Sequence, residues 1–525
     1  MRSFVRQITT YVFMKRYLPR WITLSYTLLC QLLWAAALIV LPITSYPLLV
    51  KLTPSSTVAP LTTIFMAALG LVWLLPRLLP MGADRHGGKL PIESKPLLWF
   101  VLAAAVAWSA AFFSDVPAFR ERSNLTAGVK AFLTLGVGLV AYFVPAAWLS
   151  ADRKHLQRTL VLINLVGAGV IAWSMVQAYF VIFNHGEYPF KLEQFQRLFS
   201  SRRGDPLIQS RVTGFAYEPS WLAHQLNLVF LPVWLAATLR GFSAHRKIWR
   251  ISLENVLLLG GLFILYLSAS RVGWLSFLLV VASQAVVWNL QLAQCIQGLL
   301  SARIHIRPAW EKVTRVAIPA VLLACFGVMY IALGLGMLHL GARFEPRLAK
   351  ILKKDPFSAS SFYAFTNELA FAERTVYWGA GLEIFAAHPL LGVGLGNAGF
   401  YFPEKMPAYG WGLVEINKLF NRWPALPNIK SLWVRIPAET GLVGFGVFLG
   451  WFYLLWQSTR LGRSSSDPLF KTLAWAGTYA WIAFLVEGFS VDSLALPYFW
   501  FAMALVSAVG SRGCGYRASD RPSDG

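Results

Sequence analysis

Long apolar runs are the feature of this sequence that most restricts its fold. Runs such as 22–44 and 255–269 show neither a polar face nor the alternation of a half-buried strand. A helix needs about 20 apolar residues to cross the hydrocarbon of a bilayer, and it satisfies its own backbone hydrogen bonds there. The ten-residue alternation of a membrane β-barrel is not seen. The sequence therefore predicts an all-α polytopic membrane protein.

Twelve such runs predict twelve transmembrane helices. Only 14% of the residues are charged and 57% are hydrophobic, whereas about a quarter of a soluble domain is charged. The first run is too long for a signal-peptide core and is expected to remain as a helix. The predicted spans are 22–44, 57–76, 97–114, 127–149, 159–183, 220–239, 251–269, 272–290, 315–339, 432–457, 471–488 and 493–510.

Lys and Arg residues alternate between rich and poor loops along the chain. By the positive-inside rule, the rich loops are cytoplasmic. An even number of spans then places both termini in the cytoplasm. The predicted organisation is 1–183 with helices 1–5, 184–219 as an outer loop, 220–339 with helices 6–9, 340–431 as a large periplasmic loop, 432–510 with helices 10–12, and 511–525 as a cytoplasmic tail.

The net charge of +23 does not indicate a nucleic-acid-binding protein. The basic residues are spread over many short loops and form no single stripe. The 22 Trp and 37 Phe residues fit aromatic belts at the membrane interfaces better than base-stacking platforms. The four cysteines have neither metal-ligand nor redox spacing, so no cofactor is predicted.

Two motifs flank the sixth and seventh predicted spans. Ser268-Ala-Ser270-Arg271 closes a hairpin of two apolar helices, and Arg271 either binds an anion or snorkels at the interface. Arg211 precedes Glu218-Pro-Ser, where Glu218 either caps a helix or serves as a general base at the membrane surface. His224 follows inside the span, and a polar residue there is a functional candidate.

The large outer loop carries the remaining candidates. An amphipathic helix that lies on the membrane is expected at 373–387, which contains Arg374. The glycines between His388 and Asn397 indicate either a phosphate-binding loop or, more simply, a tight turn with close backbone approach. Arginine suits phosphate because it stays charged and binds two oxygens at once. We therefore expect a basic surface for a lipid pyrophosphate, without a metal, built from Arg211, Arg271, Arg374, Lys430 and Arg435.

These motifs, in this order, resemble the O-antigen ligase / O-antigen polymerase (Wzy-type) superfamily of bacterial membrane glycosyltransferases. The resemblance covers roughly 205–460 and rests on the Glu218-Pro-Ser and Ser268-Ala-Ser-Arg motifs, on Arg374 with Trp378, on the His388-to-Asn397 stretch, and on Ser431-Leu-Trp-Val-Arg leading to Glu439-Thr-Gly. It implies a GT-C-like fold with a large periplasmic loop, in the inner membrane. It also implies that Arg271 and Arg374 hold the pyrophosphate of an undecaprenyl-pyrophosphate-linked glycan.

One departure from the family pattern favours a polymerase. The ligases place a His-Asn pair shortly before the Glu-x-Gly span, whereas this chain reads Pro427-Asn428-Ile-Lys430-Ser431. We therefore interpret the chain as an exopolysaccharide or O-antigen polymerase that extends lipid-linked repeat units, with Glu218 as the base that activates the acceptor hydroxyl. Catalysis is assigned to Glu218, Arg271 and Arg374. Substrate binding is assigned to Arg211, His224, Ser270, Trp378, His388, Asn397, Lys430 and Arg435.

Two alternatives stay open at this point. A ligase on the same scaffold is the first, and a polytopic transporter, a different class, is the second. Paired broken helices in two halves would favour a transporter, but the polar residues crowd the outer ends of the spans. Expected partners are lipid-linked glycans and membrane lipids, and the sequence leaves open whether a chain-length regulator binds. Aromatic residues that either stack on sugars or pack structurally are Trp378, Tyr401, Trp411 and Trp423.

Overall fold

The protein is a bundle of helices in the computed structural model. The structure describes residues 20–52, 57–78, 90–202, 204–247, 249–303, 308–343, 372–421 and 426–519, and it contains no strand within these ranges. The helices are α1 Arg20–Ile39, α2 Pro47–Leu52, α3 Thr62–Leu78, α4 Ile92–Phe113, α5 Asn124–Ala151, α6 Arg153–Phe183, α7 Phe190–Arg197, α8 Pro219–Arg240, α9 Leu253–Leu267, α10 Arg271–Arg303, α11 Pro308–Gly341, α12 Ala372–Ala387, α13 Phe402–Lys405, α14 Val414–Asn421, α15 Leu432–Arg463, α16 Pro468–Glu487 and α17 Pro497–Ser519.

Each of the twelve predicted spans coincides with one of these helices. Within the described ranges, eight helices are long and apolar enough to cross a membrane. They are α4, α5, α6, α8, α10, α11, α15 and α16. The apolar parts of α1, α3, α9 and α17 are shorter, with 10–17 residues each. The prediction of a multi-pass, all-α membrane protein is confirmed, whereas the count of twelve crossings stays a prediction.

The loops form two groups, one at each end of the bundle, and loops of the same group contact one another. At one end, the amide of Tyr217 donates to Thr44 Oγ1 over 3.1 Å and the amide of Val212 donates to the carbonyl of Leu267 over 3.1 Å. At the other end, Arg153 pairs with Asp467 over 2.9 Å. These are the groups that the alternation of charge predicts. We call the first the outer end and the second the inner end.

Helices α8 and α15 are irregular near their outer ends. Residues Leu226–Phe230 of α8 form a π-turn, a wide turn often found at functional sites. In α15, Gly441 has φ 62° and ψ −167°, which kinks the helix after its first nine residues. Both irregularities lie one to three turns inside the helix, so they set the direction of the outer segment of each helix.

The large outer loop is folded onto the bundle. Val376, Tyr377 and Ala380 of α12 are buried, together with Ile416 of α14, in a small apolar core. The Cα of Gly381 approaches α15 so closely that a Cβ there would lie 2.7 Å from Val434. A helix at 373–387 is thus confirmed, but its apolar side packs on protein, so the expectation that this side lies on the membrane is corrected.

Candidate functional site

Glu218 lies at the outer end, directly before the first turn of α8. It occupies the cap position, but its side chain makes no capping hydrogen bond. The hydroxyl of Ser220 donates to Oε2 of Glu218 over 3.2 Å. The residue is half-buried, and within the described ranges no basic side chain lies within ion-pair distance of it. The carboxylate is therefore oriented by a hydroxyl and stays available to an incoming group, which weakens the capping interpretation.

Arg374 is the third residue of α12 and lies in the first turn of that helix, at the outer end of the bundle. Its Nη1 donates to the carbonyl of Phe489 over 3.4 Å. Burial lowers the pKa of the Arg374 guanidinium, and the carboxylates of Asp492, Glu415 and Glu218 act in the opposite direction. The charge of Glu218 is thus among those that act on Arg374, and the shared surface of these two residues stays a prediction.

A turn at 488–492 lies between Arg374 and Arg435. It follows the last residue of α16, and its carbonyl groups accept hydrogen bonds from Arg374 on one side and from Arg435 on the other. Nη1 of Arg435 donates to the carbonyl of Asp492 over 2.6 Å, and Nε pairs with Glu439 over 3.0 Å. Arg435 is thus engaged in the protein, and substrate binding by it stays a prediction that needs one of these contacts to open.

Lys430 is the centre of a second charged group beside Arg374. Nζ of Lys430 lies 2.6 Å from Oε1 of Glu415 and 4.8 Å from the ring centre of Tyr377. The hydroxyl of Tyr377 donates to the same carboxylate over 3.0 Å. Burial opposes ionisation of Glu415, but the charge of Lys430 and these hydrogen bonds outweigh it and lower the pKa of Glu415. The cation of Lys430 is therefore largely neutralised by α14.

The hairpin between α9 and α10 is held by the protein itself. Nε and Nη2 of Arg211 donate to the carbonyls of Ser268 and Ala269 over 2.9 and 3.1 Å. Ala269 has a positive φ of 46°, a conformation that an alanine adopts only under constraint. The hydroxyl of Ser270 accepts from the amide of Gly273, as a helix cap does. Arg211 and Ser270 therefore support the turn that presents Arg271.

His224 does not reach the surface. It is buried, with 1% of its surface exposed, and its Nδ1 contacts Oε2 of Glu487. The side-chain amide of Asn227 donates to Oε1 of the same carboxylate over 2.6 Å and to the carbonyl of Gly273 over 2.8 Å. The expectation that His224 binds substrate is corrected by this position, because the side chain is enclosed by three helices.

His388 and Asn397 lie away from Arg374. Arg374 is in the first turn of α12 and His388 follows its last residue, so about fourteen residues at a rise of roughly 1.5 Å separate them by about 21 Å. The amide of Asn397 is buried and donates to the carbonyl of Val393 over 3.0 Å. The length of the helix therefore separates these two residues from Arg374, and substrate binding by them stays a prediction.

The glycines of this stretch form a tight turn against α15. Gly392, Gly394 and Gly396 all have positive φ angles of 68° to 90°. A Cβ on Gly392 would lie 2.5 Å from the backbone of Glu439. The amide of Val393 donates to the carbonyl of Ala438 over 3.1 Å. The simpler interpretation, close backbone approach, is confirmed.

The predicted sugar-stacking residues differ in access. Trp378 is half-buried, with its ring 5.5 Å from that of Phe489 beside Arg374. Tyr401 is buried and packs edge-on against His388. Trp411 is 47% exposed, and Trp423 lies outside the described residues. Trp378 is therefore the aromatic side chain best placed to contact a sugar near Arg374.

Two cavities flank the bundle. One of about 290 Å³ lies at the outer end and is lined by Ser114, His388 and Tyr401. A larger one of about 660 Å³ is lined mainly by apolar side chains such as Trp34 and Trp148 near the inner end, and no predicted site residue lines it. The larger cavity is thus separate from the charged surface, and its size does not make it the site.

Four polar residues of this region carry no motif in the sequence: Asn227, Glu415, Glu487 and Asp492. Glu487 ends a predicted apolar span, and a carboxylate in such a span is a signal that sequence reasoning had available. Asp492 and Glu415 stand alone in loops, where nothing in their neighbours indicates a role. Among the described residues, no three His, Cys, Asp or Glu side chains are grouped closely enough to hold a metal ion.

The comparison with protein families covers the middle of the chain. Residues 256–449 match the family model Wzy_C, described as O-antigen ligase. The matched stretch runs from α9 into α15 and includes Arg271 and Arg374, whereas Glu218 and Glu487 lie outside it. No curated protein matches the chain. The match confirms the resemblance seen in the motifs and indicates a glycosyltransferase-like membrane enzyme that acts on lipid-linked glycans.

Proposed function

We propose, for a chain that carries an O-antigen ligase family domain at residues 256–449, that it is a polysaccharide polymerase of the bacterial inner membrane. The donor is a growing glycan on undecaprenyl pyrophosphate, and the acceptor is a lipid-linked repeat unit. The reaction takes place at the outer end of the bundle, which we assign to the periplasm, with both termini in the cytoplasm. No nucleotide sugar or metal takes part.

One observation carries this proposal. Glu218 lies six residues before His224, and His224 contacts Glu487 at the end of α16. Two residues further on, the carbonyl of Phe489 accepts from Arg374. These contacts link Glu218 to Arg374 at the outer end, and the charge of Glu218 acts to raise the pKa of the Arg374 guanidinium. Glycan transfer from a pyrophosphate needs a base for the acceptor and a cation for the leaving group. A carboxylate and an arginine facing one surface supply both.

The chemistry follows from these two roles. Glu218 removes the proton from the acceptor hydroxyl while the oxygen attacks the anomeric carbon of the donor. The bond from that carbon to the phosphate oxygen breaks, and the electron pair leaves with undecaprenyl pyrophosphate. Arg374 and Arg271 neutralise the charge that develops on the pyrophosphate. A single displacement inverts the configuration at the anomeric carbon.

The surroundings of each arginine support these assignments. Arg374 is half-buried, and the carbonyl of Phe489 orients it. Arg271 starts α10 directly after a turn that Arg211 and Ser270 stabilise. In α10, Gly273 packs so closely on α8 that an added Cβ would lie 2.7 Å from that of Ala223. This close packing puts the start of α10 beside the helix that Glu218 opens.

The absence of a histidine from the loop before α15 separates this chain from the ligases it resembles. The same loop contains Lys430, whose cation is paired with Glu415 and does not serve as a base. Glu218 is then the candidate base, and it lies before a different helix. This difference supports the polymerase over the ligase.

The proposal is tested with purified protein, a synthetic lipid-linked repeat unit and analysis of the glycan ladder. We expect Glu218→Gln to lower polymer formation at least about 100-fold, since general acid–base catalysis contributes roughly 10²- to 10⁴-fold. Arg374→Lys should cost a similar factor, because a lysine keeps the charge but loses the two-point contact. A ladder on the lipid carrier identifies a polymerase, whereas transfer to lipid A core identifies a ligase.

Matched controls exist on the same end of the protein. Glu404 is exposed on α13, and Arg197 is exposed on α7, where it donates to the carbonyl of Gly204 over 3.0 Å. Glu404→Gln and Arg197→Lys should leave the ladder unchanged. Wild-type amounts of polymer from Glu218→Gln, in protein that elutes as a folded species, would remove Glu218 as the base.

A further inference from the structure

Glu487 is a carboxylate enclosed in the apolar interior of the bundle. It is the last residue of α16, and none of its surface is exposed. A charge or a proton-bearing carboxyl in such a place is costly unless several groups bind it. Its presence in a span therefore calls for a role beyond packing.

Two side chains of α8 bind both oxygens of Glu487. Nδ1 of His224 contacts Oε2, and the amide of Asn227 donates to Oε1 over 2.6 Å. Asn227 lies in the π-turn and also donates to the carbonyl of Gly273 in α10. The carboxylate thus joins three helices, α8, α10 and α16, at one point below the outer surface.

The backbone that follows Glu487 accepts hydrogen bonds from Arg374 and Arg435. The carbonyl of Gly488 accepts from the amide of Leu432 over 2.8 Å, at the start of α15. The carbonyl of Phe489 accepts from Arg374, and that of Asp492 accepts from Arg435. Because these acceptors come within five residues of Glu487, a shift of Glu487 moves the groups that orient both guanidinium groups.

The turn is also tied back to Glu487. The amides of Ser490 and Val491 both donate to the backbone carbonyl of Glu487, over 2.8 and 2.9 Å. The segment 487–492 therefore forms a compact unit, and the side chain of its first residue is its link to α8.

We propose that Glu487, held by His224 and Asn227, is a positioning residue that fixes the turn 488–492, and that it thereby aims Arg374 at the pyrophosphate and keeps Arg435 in its contacts with the protein. The inference rests on the proposed function for its catalytic consequence. It also couples the base to the leaving-group site, because His224 and Glu218 share α8. A displacement of about 1 Å at a reacting centre costs roughly 100-fold in rate, so a remote anchor of this kind has a large effect.

A double-mutant cycle in the polymer assay tests the catalytic consequence. Glu487→Gln keeps the size of the side chain and removes its second acceptor oxygen. We expect a fall in kcat of roughly 10- to 100-fold with a smaller change in KM. In an Arg374→Lys background the same substitution should cost less than about threefold, because the group that it positions is already altered. Equal losses in both backgrounds would overturn the inference.

Amide hydrogen exchange gives a readout that does not depend on activity. In the full-length protein without substrate, Glu487→Gln should speed exchange at Ser490 and Val491 and at the start of α15. Unchanged exchange there would also overturn the inference. Faster exchange in Glu487→Gln together with transfer to lipid A core in place of a glycan ladder supports the anchor and refutes the proposed function instead, so the two failures are distinguishable.

Glu254 provides the matched control. It is a buried carboxylate in α9, and its oxygens accept from Asn164 and Ser243 over 2.8 and 2.7 Å near the inner end. Glu254→Gln makes the same chemical change in a similar environment far from the turn. Its exchange at Ser490 and Val491 and its polymer synthesis should stay within about twofold of the wild type. A loss equal to that of Glu487→Gln would show a general effect of buried carboxylates and would overturn the inference.

Discussion

Replacing Gly441 by alanine is expected to destabilise the junction between the large outer loop and α15. Gly441 has φ 62° and ψ −167°, a combination that glycine adopts almost alone. A Cβ at this position would lie 2.1 Å from the carbonyl oxygen of Leu390 and 2.3 Å from its carbonyl carbon. The obstacle is backbone, so no side-chain rotation relieves it.

The expected magnitude combines two penalties. An L-residue held in this backbone region costs about 1–3 kcal/mol, and forcing atoms into a filled space costs about 1–3 kcal/mol. The glycine-rich stretch can move away only by giving up the hydrogen bonds from the amides of Leu442 and Val443 to the carbonyls of Pro389 and Leu390, over 2.7 and 3.3 Å. The free energy of unfolding should therefore fall by at least about 2 kcal/mol.

The assay is reversible unfolding in detergent micelles, followed by tryptophan fluorescence, with Gly446→Ala as the control. Gly446 lies in the same helix, and a Cβ there would meet no atom within 4 Å. Its replacement should be neutral or stabilising by up to about 1 kcal/mol, from helix propensity alone. Equal effects of the two substitutions would refute the reasoning, because helix propensity would then explain both.

Two further predictions concern charged groups. The pKa of Glu415 is lowered from its ordinary value of 4.5. Its contact with Lys430 therefore stabilises the fold above that ordinary value, and the contribution is lost as the pH falls through the lowered pKa. Because both side chains are about one-third exposed, the difference in unfolding free energy between wild type and Glu415→Gln should be below about 1 kcal/mol, and it should vanish in acid unfolding curves. Arg211→Lys should lower the free energy of unfolding by about 1.5–3 kcal/mol, because the variant loses charged hydrogen bonds to the hairpin turn. If the stability is unchanged and KM is raised, Arg211 is instead a substrate ligand.

The helices were predictable because a bilayer leaves an apolar chain few options. Each apolar run in the sequence becomes a helix, and the alternation of charge correctly groups the loops at two ends. The ends of the helices were less predictable. For example, α15 continues to Arg463, beyond the predicted end at residue 457, because polar residues at the inner end extend a helix without an apolar signal.

The candidate site was predictable where a motif carried it. Glu218 and Arg374 stand in short, distinctive sequences, and the charge of Glu218 acts on the pKa of Arg374, whereas their shared role stays a prediction. Glu487 was missed because its partners His224 and Asn227 precede it by 263 and 260 residues. Contacts between residues so far apart in the sequence depend on which helices pack against each other and on which face. The pattern of apolar residues predicts that the helices pack, but it does not predict which helices are neighbours.

Arg374 and His388 belong to one motif of the sequence, but they do not lie at one place in the structure. A helix between two residues converts sequence distance into a fixed length, here about 21 Å. Residues of one sequence motif can therefore be placed at one site only when the secondary structure between them is known.

The π-turn in α8 has a consequence for the rotational phase of the helix. A regular helix advances about 100° per residue, and a π-turn accommodates one additional residue at a single turn. Removal of one residue from Leu226–Phe230 would restore regular winding and turn everything before it by about 100° relative to the rest of α8. Glu218 and His224 would rotate together, the first away from Arg374 and the second away from Glu487. The additional residue of the π-turn thus fixes the rotation of the outer segment of α8 about the helix axis. In this orientation His224 contacts Glu487, and the charge of Glu218 acts on Arg374.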